Sequence, residues 1–324
     1  MPQVSVIIPA YNAERTLERA VNSCLLQEGV TYEIIIVNNN STDGTLLVAD
    51  RLAVAHSMIT VSQETRQGAA AARNHGARLA RGEWLQFLDA DDVLLEGKWL
   101  RQMKLVSQEK NWVIGAFLDE AHDGSQVYVG VEEDPWYGLL VSGGIGCMHS
   151  NIFRRSLSTS YGGMDEEWSD HEDYEWYTRL LCGAEPYSVD HDAGSVYFHP
   201  DLITLSKVDP VGYARRRVAL TEVIVTYLKQ ELYEYYEKRQ KMINSSLLKH
   251  LRQQATVDFK TAVANEKRLV KVKYIMSNYE RIIGRSLIRS YYWLGFERVE
   301  RIRLLGAAVF PSQLKAMLRR IIKL

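Results

Sequence analysis

Cysteine is scarce: Cys24, Cys147 and Cys182 are the only three in 324 residues, widely spaced and odd in number. Without a C-x-x-C pattern they exclude a disulfide framework and a cysteine-rich zinc site, and they point to a reducing compartment. No apolar run approaches the roughly 20 residues that a membrane-crossing helix needs. Met1-Pro2-Gln3 leads straight into an apolar run, with no basic segment or cleavage signal, so no secretory leader is expected. The turn after that run lacks G-x-G-x-x-G, which argues against dinucleotide-dependent oxidoreductases. It also lacks a basic phosphate loop, which a nucleotidyltransferase would want. Nucleic-acid-binding motifs are absent, and no nucleic-acid partner is expected.

What is present is enough apolar residue, 46% against 24% charged, for an ordinary soluble core. The net charge of −1 conceals a division. Residues 1–212 carry 15 basic and 31 acidic side chains; residues 213–324 carry 24 and 9. Two domains are therefore expected, 1–212 and a basic extension 213–324, whose acidic partner is anionic lipid, nucleic acid or the acidic half itself, although no nucleic-acid motif supports the second.

Val4 to Ile8 is a β-branched run stopped by Pro9, which reads as a buried parallel strand. Helical spacing then covers Glu14–Leu26, and Glu33–Val37 is a second strand. The loop Asn38 to Thr45 is rich in turn formers and N-caps. Ile59–Val61, a small-residue helix from Gly68 to Ala80, and the strand Trp84–Leu88 follow. The βαβαβαβ alternation predicts an α/β fold with an open, mostly parallel sheet flanked by helices. Strands are expected over 112–117, 126–131 and 195–198. The segment 132–150 reads as a loop whose glycines and exposed aromatics, Trp136 and Tyr137, suit a flat ligand or a plain surface. One helix is expected from Tyr213 to Met242, with an a/d-like seam that packs on the first domain or on a second copy of the chain.

The apolar strand ending at Leu88 runs into Asp89-Ala90-Asp91-Asp92. Carboxylates this close repel unless a cation or proton lies between them. Hard oxygen donors at a strand's carboxyl end suit Mg²⁺ or Mn²⁺ and a nucleotide. An acidic loop, with Asp92 as a cap, is the plainer reading. Further on, Asp170 is placed to cap a helix whose first turn holds Glu172 and Asp173. The positive helix end favours ionised carboxylate there, which suits a general base or merely a stabilised helix end. Tyr11, after the first strand, offers a ring to a nucleobase. His199 is a candidate metal ligand, phosphate contact or surface histidine.

Taken in order, Val4-Ser5-Val6-Ile7-Ile8-Pro9-Ala10-Tyr11-Asn12, Asn39 to Thr45, Ala72-Arg73-Asn74-x-Gly76, Phe87 to Asp92, Gly162 to Glu166 and Glu172-Asp173 resemble the family 2 glycosyltransferases of the GT-A fold. The resemblance covers roughly residues 3–206. It implies transfer of a sugar, with inversion, from a nucleotide-sugar to a glycan or lipid-linked acceptor, aided by Mn²⁺ or Mg²⁺. On that template Pro9, Tyr11 and Asn39 line the base pocket and Arg73 lies in the stretch that closes on the nucleotide. Asp89 contacts the ribose side, Asp91 and His199 hold the metal, and Asp173 is the base, with Glu172 beside it. Relatives with acids where this chain has Asn38 and Asn39 accept the imide N–H of uracil. Uridine stays the first choice through the Asn39 amide oxygen. The rival from another class is a non-catalytic nucleotide-binding scaffold of the same fold.

The terminal stretch 304–324 places Leu314, Met317, Leu318, Ile321 and Ile322 opposite Lys315, Arg319, Arg320 and Lys323. Such a helix lies on an anionic membrane surface or packs onto the domain. A cytoplasmic protein, peripheral on the inner face of the membrane, is the corresponding expectation. Deleting 304–324 is expected to weaken cosedimentation with anionic vesicles; unchanged binding would assign the helix a packing role.

Overall fold

The computed structural model describes residues 2–121, 123–183, 185–198 and 209–269. The chain forms two compact units, Met1–Ile203 and Thr204–Leu324. In the first, a seven-stranded sheet runs in the order β10-β6-β9-β4-β1-β2-β3. Its strands are β1 (Val4–Ala10), β2 (Tyr32–Asn38), β3 (Ile59–Gln63), β4 (Trp84–Phe87), β6 (Trp112–Gly115), β9 (Ile152–Arg154) and β10 (Tyr187–Asp190). All pairings are parallel except those of β9, which is antiparallel to β4 and β6. A smaller sheet, β5-β11-β7-β8, holds β5 (Val93–Leu94), β7 (Phe117–Glu120), β8 (Gln126–Val129) and β11 (Ser195–Phe198).

The strand β1 is buried almost throughout because β2 and β4 flank it and helices cover it. It does not stop at Pro9 but continues to Ala10. The β4 pairing ends at Ile7, so the N–H that Pro9 lacks leaves no β4 acceptor unmet. Helices α1 (Leu17–Leu25), α2 (Thr45–Ala55), α3 (Ala69–Leu79) and α4 (Lys98–Leu105) complete the sandwich. The small residues of α3 let it approach the sheet closely, with Gly76 directly over Ile7.

Two segments of the first unit depart from expectation in their secondary structure. The run 112–117 is not one strand: it breaks at Ala116 and feeds both sheets, with Ala116 N–H donating to Asp190 O at 3.0 Å. The segment 132–150 is not an open loop with exposed aromatics. Asp134 caps α5 (Pro135–Tyr137), accepting from Trp136 N and Tyr137 N at 3.1 and 3.3 Å. A π-turn, Gly138–Ser142, follows, and Trp136, Leu139 and Leu140 are buried. Capping and apolar burial together order the segment. Two further helices, α6 (Ser156–Ser160) and α7 (Glu172–Cys182), complete the unit.

In the second unit the helix expected over 213–242 is two: α8 (Pro210–Glu231) and α9 (Tyr233–Val257), broken at Leu232, followed by α10 (Phe259–Leu269). Asp209 caps α8 through Gly212 N at 2.8 Å, with Pro210 in the first turn. Arg215 pairs with Asp258 at 2.6 Å and Thr221 Oγ with His250 Nδ1 at 2.9 Å, so α8 and α9 run antiparallel. A long amphipathic helix alone would leave its stripe in water; folding back buries Val218, Leu228, Ile243, Leu247 and Leu251. Among the described residues no helix is long and apolar enough to cross a membrane. The stretch 304–324 and His199 lie outside the described residues.

A Cβ on Gly76 would overlap Ile7 Cγ2. Gly76→Ala is therefore expected to lower unfolding stability by about 1–3 kcal/mol, read from urea midpoints. An unchanged midpoint would refute the close approach.

Candidate active site

The carboxyl ends of β1, β2 and β4 meet at one edge of the large sheet, and every sequence-predicted site residue except His199 can be located there or beside it. At the end of β1, Tyr11 is 54% exposed, its ring available for stacking, and Asn12 takes a left-handed turn at φ 48°. Pro9 is partly exposed just before it.

Asn39 is buried, and its side chain is engaged with one loop. Its amide donates to Glu64 O at 2.9 Å and Arg66 O at 2.7 Å, and its oxygen accepts from Gly68 N at 2.8 Å. Asn40, left-handed at φ 61°, donates to Thr65 O at 2.8 Å. The amide oxygen expected to read a base instead bonds Gly68, so in this structure Asn39 clamps the 64–68 loop.

Arg73 is buried, with Nη2 2.6 Å from Asp89 Oδ1 and Nη1 2.6 Å from Glu172 Oε1. The helix α3 thus ties the end of β4 to the start of α7. Burial by itself would push Asp89 up, but the Arg73 guanidinium holds its carboxyl below the usual carboxylate range. Next to it in sequence, Asn74 donates to Met164 O at 2.8 Å and Glu166 Oε1 at 2.9 Å and accepts from Met164 N at 2.8 Å. Its place inside the Ala72-Arg73-Asn74 motif is the sequence signal for this role.

Two carboxyls of the site make no ion pair among the described residues. Asp91 is pushed up to about 6 by burial and then by the charge of Asp89. Arg19 reaches this turn through the Asp91 carbonyl, at 2.5 Å, while its guanidinium covers the Phe198 ring at 4.0 Å. Asp173 is pushed up to about 7, by burial first and by neighbouring Glu172 second. The helix end alone does not keep it ionised, contrary to the dipole argument, because desolvation outweighs it. Its Oδ1 accepts from Tyr174 N at 2.8 Å. Asp170 does not cap α7. Left-handed His171, at φ 60°, takes the N-cap position, and Asp170 bonds its Nδ1 at 2.6 Å.

Among the described residues no group of three or more His, Cys, Asp or Glu is arranged to hold a metal. Asp89 and Asp91 supply two hard oxygen donors. The upward shift of Asp91 beside a second carboxylate is the strain that a divalent cation relieves, so the donor set fits Mg²⁺ or Mn²⁺. A separate polar groove of about 560 Å³ is lined by Arg66, Asn74, 162–167, Glu175 and Arg179. At roughly 100° per helical residue, Glu175 lies well round α7 from Asp173, which is not among the groove's lining residues.

Residues 5–140 match the family model described as glycosyl transferase family 2. An uncharacterized glycosyltransferase of Haemophilus influenzae is 26% identical over 60% of this chain and 68% of its own length. The Escherichia coli UDP-Glc:alpha-D-GlcNAc-diphosphoundecaprenol beta-1,3-glucosyltransferase WfgD is 30% identical over 48% of this chain and 62% of its own length. Across the first curated relatives, the matches span from about two thirds to under half of their length. Staphylococcus aureus TarS 1–349, solved with UDP-GlcNAc, superposes with a TM-score of 0.61 at 19% identity, covering 94% of this chain and 92% of that one.

Removing the guanidinium would leave Asp89 and Glu172 without their shared counter-ion. Arg73→Met is expected to cost about 3–5 kcal/mol of stability, with Arg73→Lys intermediate because it keeps charge but not the fork. Equal denaturation midpoints for wild type and Arg73→Met would remove this role.

Proposed function

We propose that this family 2 glycosyltransferase of the GT-A fold transfers a sugar, with inversion, from a UDP-sugar to a hydroxyl of a lipid-linked or glycan acceptor. The observation that carries the reading is the division of the carboxyls: Asp89 and Glu172 are neutralised by Arg73, whereas Asp91 and Asp173 are not. The UDP-GlcNAc bound to TarS and the diphosphoundecaprenol acceptor in WfgD's name support the substrate classes.

In this reading the base lies between Pro9 and Tyr11, with Asn39 shaping the wall through the 64–68 loop. Asp89 faces the ribose side. Asp91, with His199, would hold Mn²⁺ or Mg²⁺. Bound there, the cation supplies charge neutralisation to the departing diphosphate. Asp173 accepts the acceptor hydroxyl's proton during attack on the anomeric carbon, and a single displacement needs no covalent enzyme intermediate. Arg73 keeps Glu172 paired, so Asp173 rather than Glu172 serves as base. A carboxyl with a pKa near 7 is well matched to that task, since a substantial fraction is ionised at neutral pH and that fraction is basic enough to take a proton. The basic extension 213–324 would dock on an anionic membrane, where lipid-linked acceptors reside, or join two copies of the chain. The expected location is the cytoplasmic face of the cell membrane.

A thermal-shift panel of nucleotides and nucleotide-sugars, with and without Mn²⁺, tests the donor. Stabilisation needing both UDP and metal is expected; none with any donor would reject the reading. Asp173→Asn is expected to keep donor stabilisation and lose roughly 10²–10⁴-fold in transfer. Because only ionised Asp173 accepts a proton, wild-type transfer should fall about tenfold per pH unit below about 7 and level off above it. A flat profile, or near-normal transfer by Asp173→Asn, would exclude Asp173 as base.

A further inference from the structure

Three carboxylates crowd the turn after β4, yet only Asp89 and Asp91 are partly exposed. Asp92 is fully buried. One of its oxygens accepts from Phe198 N at 2.9 Å, and the other, Oδ2, has no hydrogen-bond partner. The atom facing that orphan is itself an orphan: His149 Nε2, 3.5 Å away. Buried polar atoms are rarely left unpaired, and two facing each other just beyond bonding distance mark a contact that a few tenths of an ångström would close.

The imidazole is held from several sides. Its Nδ1 pairs with Ser195 Oγ at 2.8 Å. The ring stacks on Tyr197 with 9° between planes and meets Phe117 edge-on. The His149 carbonyl accepts from Gln86 Nε2 at 3.0 Å, and Gln86 Oε1 accepts from fully buried Lys98 at 2.6 Å. Gln86 lies in β4, three residues before Asp89. Burial favours the neutral imidazole; in the tautomer in which Nδ1 accepts from the Ser195 hydroxyl, the ring proton lies on Nε2 and faces Asp92. His149 thereby joins β4, β7, β11 and the acidic turn.

We propose that His149 is a positioning residue: with Asp92 it forms a buried strut that holds the Asp89–Asp91 turn in the arrangement that receives a divalent cation. This rests on the metal-dependent donor reading above. The strut explains why a third carboxylate stands in the motif without entering the cleft. It also explains a buried histidine that no periodicity in the sequence singles out.

The test is the Mn²⁺ concentration that half-saturates the UDP-dependent thermal shift. His149→Phe keeps the ring volume without the N–H, and should raise that concentration by about 10- to 100-fold, the usual loss when a group orienting a metal ligand is removed. His149→Gln, whose amide N–H stands near the Nε2 position, should recover to within about threefold of wild type. Ser195→Ala disturbs packing least and should raise the concentration about threefold or more. An unchanged Mn²⁺ requirement in His149→Phe overturns the proposal. If that variant does not fold, an unchanged requirement in Ser195→Ala does so. Failure of His149→Gln to recover function also counts against it, since the ring would then act only by packing. Absence of any metal-dependent shift in wild type instead rejects the donor reading, and the strut with it.

Discussion

One guanidinium organises the site. Asp89, Asp91, Asp92, Glu172 and Asp173 come from two distant stretches, and gathering such carboxylates without a cation would be strongly unfavourable. Arg73 offsets part of that repulsion by bonding one carboxylate from each stretch at 2.6 Å. Because its fork is planar and rigid, it also fixes the separation between the β4 turn and the start of α7. The approach of α3 that brings Arg73 there depends on small side chains, above all Gly76 against Ile7.

This pairing sorts the remaining acids. With Asp89 and Glu172 committed to Arg73, Asp91 and Asp173 carry the consequences of burial and like charge, and both titrate above ordinary carboxylates. Asp92 is withdrawn beneath the turn toward His149. A contiguous acidic motif thus contains three chemically different groups, distinguished by what each one faces rather than by its residue type.

Much of the scaffold was legible. The β-branched runs, small-residue helix and turn-rich loops mark β1 to β4 and the parallel order because period and turn chemistry are local properties. The break at Ala116 and the fold-back at Leu232 were not legible. Each depends on what the chain packs against, and neither has a proline or glycine at the break itself. Burial of Trp136 belongs to the same class: glycines near aromatics look alike in a loose loop and in a capped, packed turn.

The sequence by itself determined which side chains carry chemistry and where they sit along the chain: the acidic turn after β4, the paired acids opening α7, Tyr11 after β1, and the division between acidic and basic halves. The tertiary structure decided what each acid does. Asn39 clamps the 64–68 loop, and Arg73 is the buried counter-ion of Asp89 and Glu172. Asp173 moved toward neutral pKa, and His149 entered beside Asp92. The reason is that proton affinity and pairing depend on distance and burial. Those are set across 99 residues in the case of Arg73 and Glu172, beyond the reach of any local pattern.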